Sequence, residues 1–86
     1  MEITVRKPTD DERNLMETMD TWSCGVSKFN WHYDMEETCL LVEGEVTVSF
    51  EGGSVSFGKG DYVVFPQGLK CVWDVTKPVK KHYLFK

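Results

Sequence analysis

Eighty-six residues, 41% hydrophobic, 13% aromatic and 28% charged, make one small folded domain and exclude a disordered chain, whose apolar content is lower. Fourteen acidic against ten basic side chains leave a net charge of −4, and Lys77, Lys80 and Lys81 are too few to make the basic field of a nucleic-acid binder. No apolar run approaches the roughly 18 to 20 residues of a membrane helix, so neither nucleic acid nor a membrane is an expected partner.

In chain order, the opening MEITVRKPTDDE lacks the apolar segment of a signal peptide and is too acidic for a transit peptide. Cys24, Cys39 and Cys71 are odd in number and unevenly spaced, which suits a reducing compartment and a soluble intracellular protein. Ile3 to Val5 read as a strand. The one helix signal is PTDDERNLMETM: Thr9 caps, Glu12 completes a capping box, and acids crowd the first turn where the helix dipole favours them. Leu15, Met16 and Met19 give this helix an apolar face. A strand is expected around Trp22 and another in the segment that follows it.

From there the pattern has period two. Val46, Val48 and Phe50 alternate with Glu45, Thr47 and Ser49, EGGS turns at 51–54, and Val55 and Phe57 resume the alternation. GKG at 58–60 turns again, and DYVVF runs to Pro66 and Gly68. CVWDV and VKKHYLF follow, split by TKP. Eight or nine short strands separated by Gly and Pro turns predict an all-β sandwich or barrel.

Two fragments carry a resemblance. In FNWHYDMEETCLLVEG (29–44), Glu37 is followed after six residues by Gly44; in GDYVVFPQGLKCVW (60–73), Gly60, Pro66 and Gly68 keep fixed spacings. Together they resemble the paired motifs of the cupin superfamily. The first of these is Gly, five residues, His-x-His, three or four residues, Glu, six residues, Gly. The second is Gly, five residues, Pro-x-Gly, two residues, His. On this alignment Asn30 and His32 take the two histidine positions, Gly25 is displaced by one, and Cys71 stands for the last histidine. The wider pattern, W…FxWxYxxxETC, EGxVxV, GDxVxFPxGLxCxW and VxKHY, is similar to short stand-alone cupins related to the cupin domain of ureidoglycine aminohydrolase. Members of that group have given up the histidine cluster. The resemblance implies a single-domain jelly-roll β-barrel over residues 1–86 with a short N-terminal helix.

It also implies where a ligand would sit. Cupins hold a metal with three histidines and a glutamate, and the corresponding positions here are Asn30, His32, Glu37 and Cys71. An amide is a poor ligand and a thiolate a good one, so His32, Glu37 and Cys71 are the set a divalent metal would use. A metal-free pocket is the preferred expectation, with a metal-dependent aminohydrolase-like or dioxygenase-like enzyme as the alternative. Inward-facing residues in this register are Asn30, His32, Glu37, Cys39, Cys71, Trp73, Lys81 and Tyr83. Lys81 inside a barrel needs a partner, and Glu37 is the candidate. The pocket would bind a small anionic or amide-bearing metabolite, with Lys81 and His32 donating and Trp73 as a stacking wall. A redox role for Cys39 and Cys71 is opposed by their apolar surroundings. This register turns Phe29, Trp31 and Tyr33 outward, where the helix or a second subunit must cover them, so a homodimer is expected. Hydropathy alone gives the opposite register: those aromatics turn in, and Asn30 and His32 meet solvent.

Overall fold

The computed structural model describes residues 1–86. In chain order they form β1 (Thr4–Arg6), α1 (Asp10–Met16), β2 (Thr21–Cys24), β3 (Ser27–His32), β4 (Glu37–Phe50), β5 (Gly53–Gly58), β6 (Tyr62–Phe65) and β7 (Lys70–Phe85). Every pairing is antiparallel. β4 and β7 pair along most of their length and pass through two layers. In one layer the start of β4 and the end of β7 lie between β6 and β2, with β1 outside β6. In the other, the end of β4 and the start of β7 lie between β5 and β3. The result is the expected all-β, jelly-roll class, although the hydrogen-bonded ladder does not close into a ring.

There are seven strands rather than eight or nine, because TKP does not interrupt β7. Pro78 has no N–H to give a ladder, and it sits where β4 and β7 are bent out of register between Leu41 and Val46. Gly44 lies in the same bend at φ +105°; a Cβ there would stand 2.5 Å from the Pro78 carbonyl oxygen and 2.6 Å from Val79 Cα. The bends let one strand serve both layers. Between the layers, Leu41, Val46, Val48, Phe57, Val63, Phe65, Val75 and Val79 form the core.

The helix begins as its sequence dictates. Glu12 N donates to Thr9 Oγ1 at 3.2 Å, and Thr9 N donates to Glu12 Oε1 at 2.9 Å. Arg6 grips both Glu12 oxygens at 2.7 and 2.6 Å, tying α1 to β1. Met16 is buried and Leu15 exposed, so the apolar face is narrower than expected. α1 lies against β4 and β7, and His82 Nδ1 donates to the Met19 carbonyl at 2.9 Å just beyond it.

Candidate functional site

β3 decides the site. Its ladder with β7 sets Phe29 opposite Trp73 and Trp31 opposite Cys71, while Asn30 faces Val72 and His32 faces Lys70. Directly paired residues share a face of the sheet. Trp73 and Cys71 belong to the core, so Phe29, Trp31 and Tyr33 look inward. Asn30 and His32 look outward, against the register expected from the histidine alignment. His32 is 51% exposed, and its Nδ1 lies 3.5 Å from exposed Asp34. The physical reason is the difference in apolar surface. Buried Tyr33, half-buried Phe29 and the inward part of Trp31, which stays 48% exposed, together outweigh an amide and an imidazole in the choice of face. The aromatic stripe on which the homodimer expectation rested therefore turns toward the cavity, with Trp31 at its rim still 48% exposed.

The spacing contained this result. Counting five residues from Gly25 reaches Trp31, and Tyr33 follows two later. Three residues then lead to Glu37 and six more to Gly44, with no displacement anywhere. The two histidine positions of the first cupin motif are thus held by Trp31 and Tyr33.

These inward residues bound a cavity of about 210 Å³. β3 supplies Phe29 and Trp31, with Tyr33 just beyond its end, and β2 supplies Trp22. β7 supplies Trp73, Lys81, Tyr83 and Phe85, and β4 supplies Glu37. All three tryptophans of the chain border it. Phe29 stacks on Trp73 with centroids 6.1 Å apart and planes 13° from parallel, and Trp22 meets Trp73 edge-on at 6.1 Å.

Two charges stand among these rings. Lys81 Nζ donates to Glu37 Oε2 at 2.7 Å, with the side chains only 7% and 4% exposed. The pairing expected between them is therefore present. Lys81 Nζ also lies 4.8 Å from the Trp73 ring centroid and 5.1 Å from that of Trp22, within cation–π range. Glu37 Oε1 makes no hydrogen bond in the chain. No fully buried polar side-chain atom is left unpaired, so this oxygen keeps contact with the cavity. Trp73 Nε1 donates to the Tyr33 hydroxyl at 3.1 Å. Burial, reinforced by the Glu37 carboxylate, raises the Tyr33 pKa and keeps the phenol protonated. Its own hydrogen meets no acceptor within the chain.

The remaining predicted residues lie elsewhere. Cys39 is fully buried, away from the cavity lining, and burial pushes its thiol up to about 12. Burial, then the Glu37 charge, pushes Cys71 up to about 11. Asn30, His32 and Cys71 border a second, more open groove of about 680 Å³, together with Lys70 and Glu51, and Trp31 borders both spaces. Glu37, Trp73, Lys81 and Tyr83 are brought together as expected; Trp22, Phe29, Trp31, Tyr33 and Phe85 were missed. No three His, Cys, Asp or Glu side chains converge. His32 and Glu37 open on different spaces, and indole and phenol replace the imidazoles. The donors do not fit the cupin metal.

A family model for the EutQ-like cupin domain matches residues 12–83. No curated protein matches the chain. A DUF861-family protein from Thermotoga maritima is similar over 99% of this chain and 100% of its own, at 43% identity and a TM-score of 0.93. A Pseudomonas syringae protein of the same family, of unknown function, is 29% identical over 77% of this chain and 29% of its own, with a TM-score of 0.69. Clostridium difficile EutQ is 20% identical over 76% of this chain and 52% of its own, at a TM-score of 0.70, a likeness of fold.

Proposed function

The chain belongs to the EutQ-like cupin family, and from that premise we propose that it binds a small polar molecule in the aromatic cavity without a cupin metal centre. The observation that carries this reading is the Lys81–Glu37 pair at the cavity wall. Taking two charges out of water costs several kcal/mol each, and hydrophobic replacements of such pairs are often neutral or stabilising. A pair that only stabilised the fold would be a poor use of this position. Here two Lys81 N–H groups and Glu37 Oε1 remain for a guest. Tyr33 supplies a further donor, in the role first given to His32. Trp73 keeps its role as wall, joined by Trp22 and Phe29.

The test is a fragment screen by protein-observed NMR on the full chain. Binding fragments are expected to shift the indole signals of Trp22, Trp31 and Trp73 together. A screen in which no fragment moves these signals would overturn the proposal.

A further inference from the structure

Resting on that binding reading, we infer that the guest is uncharged, flat and built on a single ring, and that it presents a carbonyl beside an N–H: a lactam or carboxamide edge. Charge makes the first selection. Lys81 and Glu37 neutralise each other at 2.7 Å, so an anion drawn to the ammonium also meets Glu37 Oε1. A cation drawn to that oxygen meets Lys81, whose ammonium already lies over the faces of Trp22 and Trp73. A neutral guest escapes both repulsions.

Hydrogen bonding makes the second. The wall offers a charged donor and a charged acceptor side by side, because Lys81 has N–H groups to spare and Glu37 Oε1 is unpaired within the chain. The complementary edge carries an acceptor next to a donor. Charge-assisted bonds of this kind are roughly twice as strong as neutral ones, so a guest lacking either group leaves a spare Lys81 N–H or Glu37 Oε1 desolvated without a hydrogen bond.

Shape makes the third. The other walls are aromatic faces and edges, which favour a planar guest. An enclosed cavity of about 150 Å³ holds benzene, so the 210 Å³ here seats a substituted single ring, with the exposed edges of Trp22, Trp31 and Phe85 at the mouth.

The experiment is calorimetric titration of the purified chain with 2-pyridone and nicotinamide, against benzoate, benzylamine and toluene as anionic, cationic and apolar probes of similar size. NMR of the three indoles locates each binding event. Both lactam-type probes are expected to bind at least tenfold tighter than the other three. Lys81→Met combined with Glu37→Leu should erase the preference over toluene; should that variant fail to fold, the ranking on the unaltered chain decides. Tightest binding by benzoate or benzylamine at the indoles would overturn the inferred class and leave the binding reading standing. Equal binding of toluene would do the same. If no probe moves the indoles and a wider fragment set also fails, the binding reading falls and takes the inferred class with it.

Discussion

Lys81→Met removes the ammonium and keeps most of the stem that packs against Trp22 and Trp73. It leaves the Glu37 carboxylate 4% exposed with no cation beside it. Breaking a buried pair from one side costs about 3–5 kcal/mol. For 86 residues the whole stability is about 4–13 kcal/mol, so the variant loses a large share of it. With a urea slope near the low end for small domains, about 1–1.5 kcal/mol/M, the unfolding midpoint should fall by about 2–5 M. The assay is urea unfolding followed by circular dichroism, with tryptophan fluorescence as a second probe. Adding Glu37→Leu should bring stability back to within about 1 kcal/mol of the unaltered chain or above it. A Lys81→Met midpoint within error of the unaltered chain would refute the premise that the two charges are desolvated together.

Tyr33→Phe strands the buried Trp73 Nε1–H and should cost about 1–3 kcal/mol, whereas His32→Ala and Asn30→Ala should stay within about 0.5 kcal/mol; denaturant midpoints that reverse this order would restore the opposite β3 register. Gly44→Ala adds the cost of a Cβ at positive φ, about 1–2 kcal/mol, to overlap with Pro78 and Val79, and should lower stability by about 3 kcal/mol or more in thermal unfolding. A bulky thiol reagent should label native protein at half-buried Cys24 alone, with Cys39 and Cys71 reacting only after denaturation, as mass spectrometry will show. The Glu12 carboxyl is held at about 2, below its ordinary 4.5, first by Arg6 and then by the Thr9 N–H. Its folded-state value is the lower one, so its contribution is complete above the ordinary value and disappears as the pH falls from about 4.5 through 2. Melting temperatures over that range should fall less steeply for Glu12→Gln than for the unaltered chain.

Local signals in the sequence were reliable where the partners are neighbours. Thr9 and Glu12 are three residues apart, and their reciprocal bonds form as the letters imply. The alternation of Val46, Val48 and Phe50 survives in the structure because one strand face meets the core and the other does not. The long-range pair of Lys81 and Glu37 was legible too, since a lysine on an inner face must find a carboxylate. The face of β3 was harder. Strand side chains alternate, so a slip of one residue exchanges every inward group for an outward one. Taking His32 as an anchor imposed that slip, although the count from Gly25 and the run of aromatics both pointed the other way. Pro78 hid the continuity of β7 because a proline in a strand reads as a break until a bulge is seen to receive it.

The double service of β4 and β7 bears on how this chain opens. In many sandwiches each layer owns its strands and can loosen by itself. Here the central pair of one layer continues as the central pair of the other, through the bend at Gly44 and Pro78. Separating β4 from β7 in either layer pulls on the same two backbones in its neighbour. Amide hydrogens of Cys39 and Leu41 in one layer and Val46 and Val48 in the other should therefore exchange with a common free energy, as one unfolding unit. The β1 and β2 edges, each held by a single neighbour, are free to fray ahead of it.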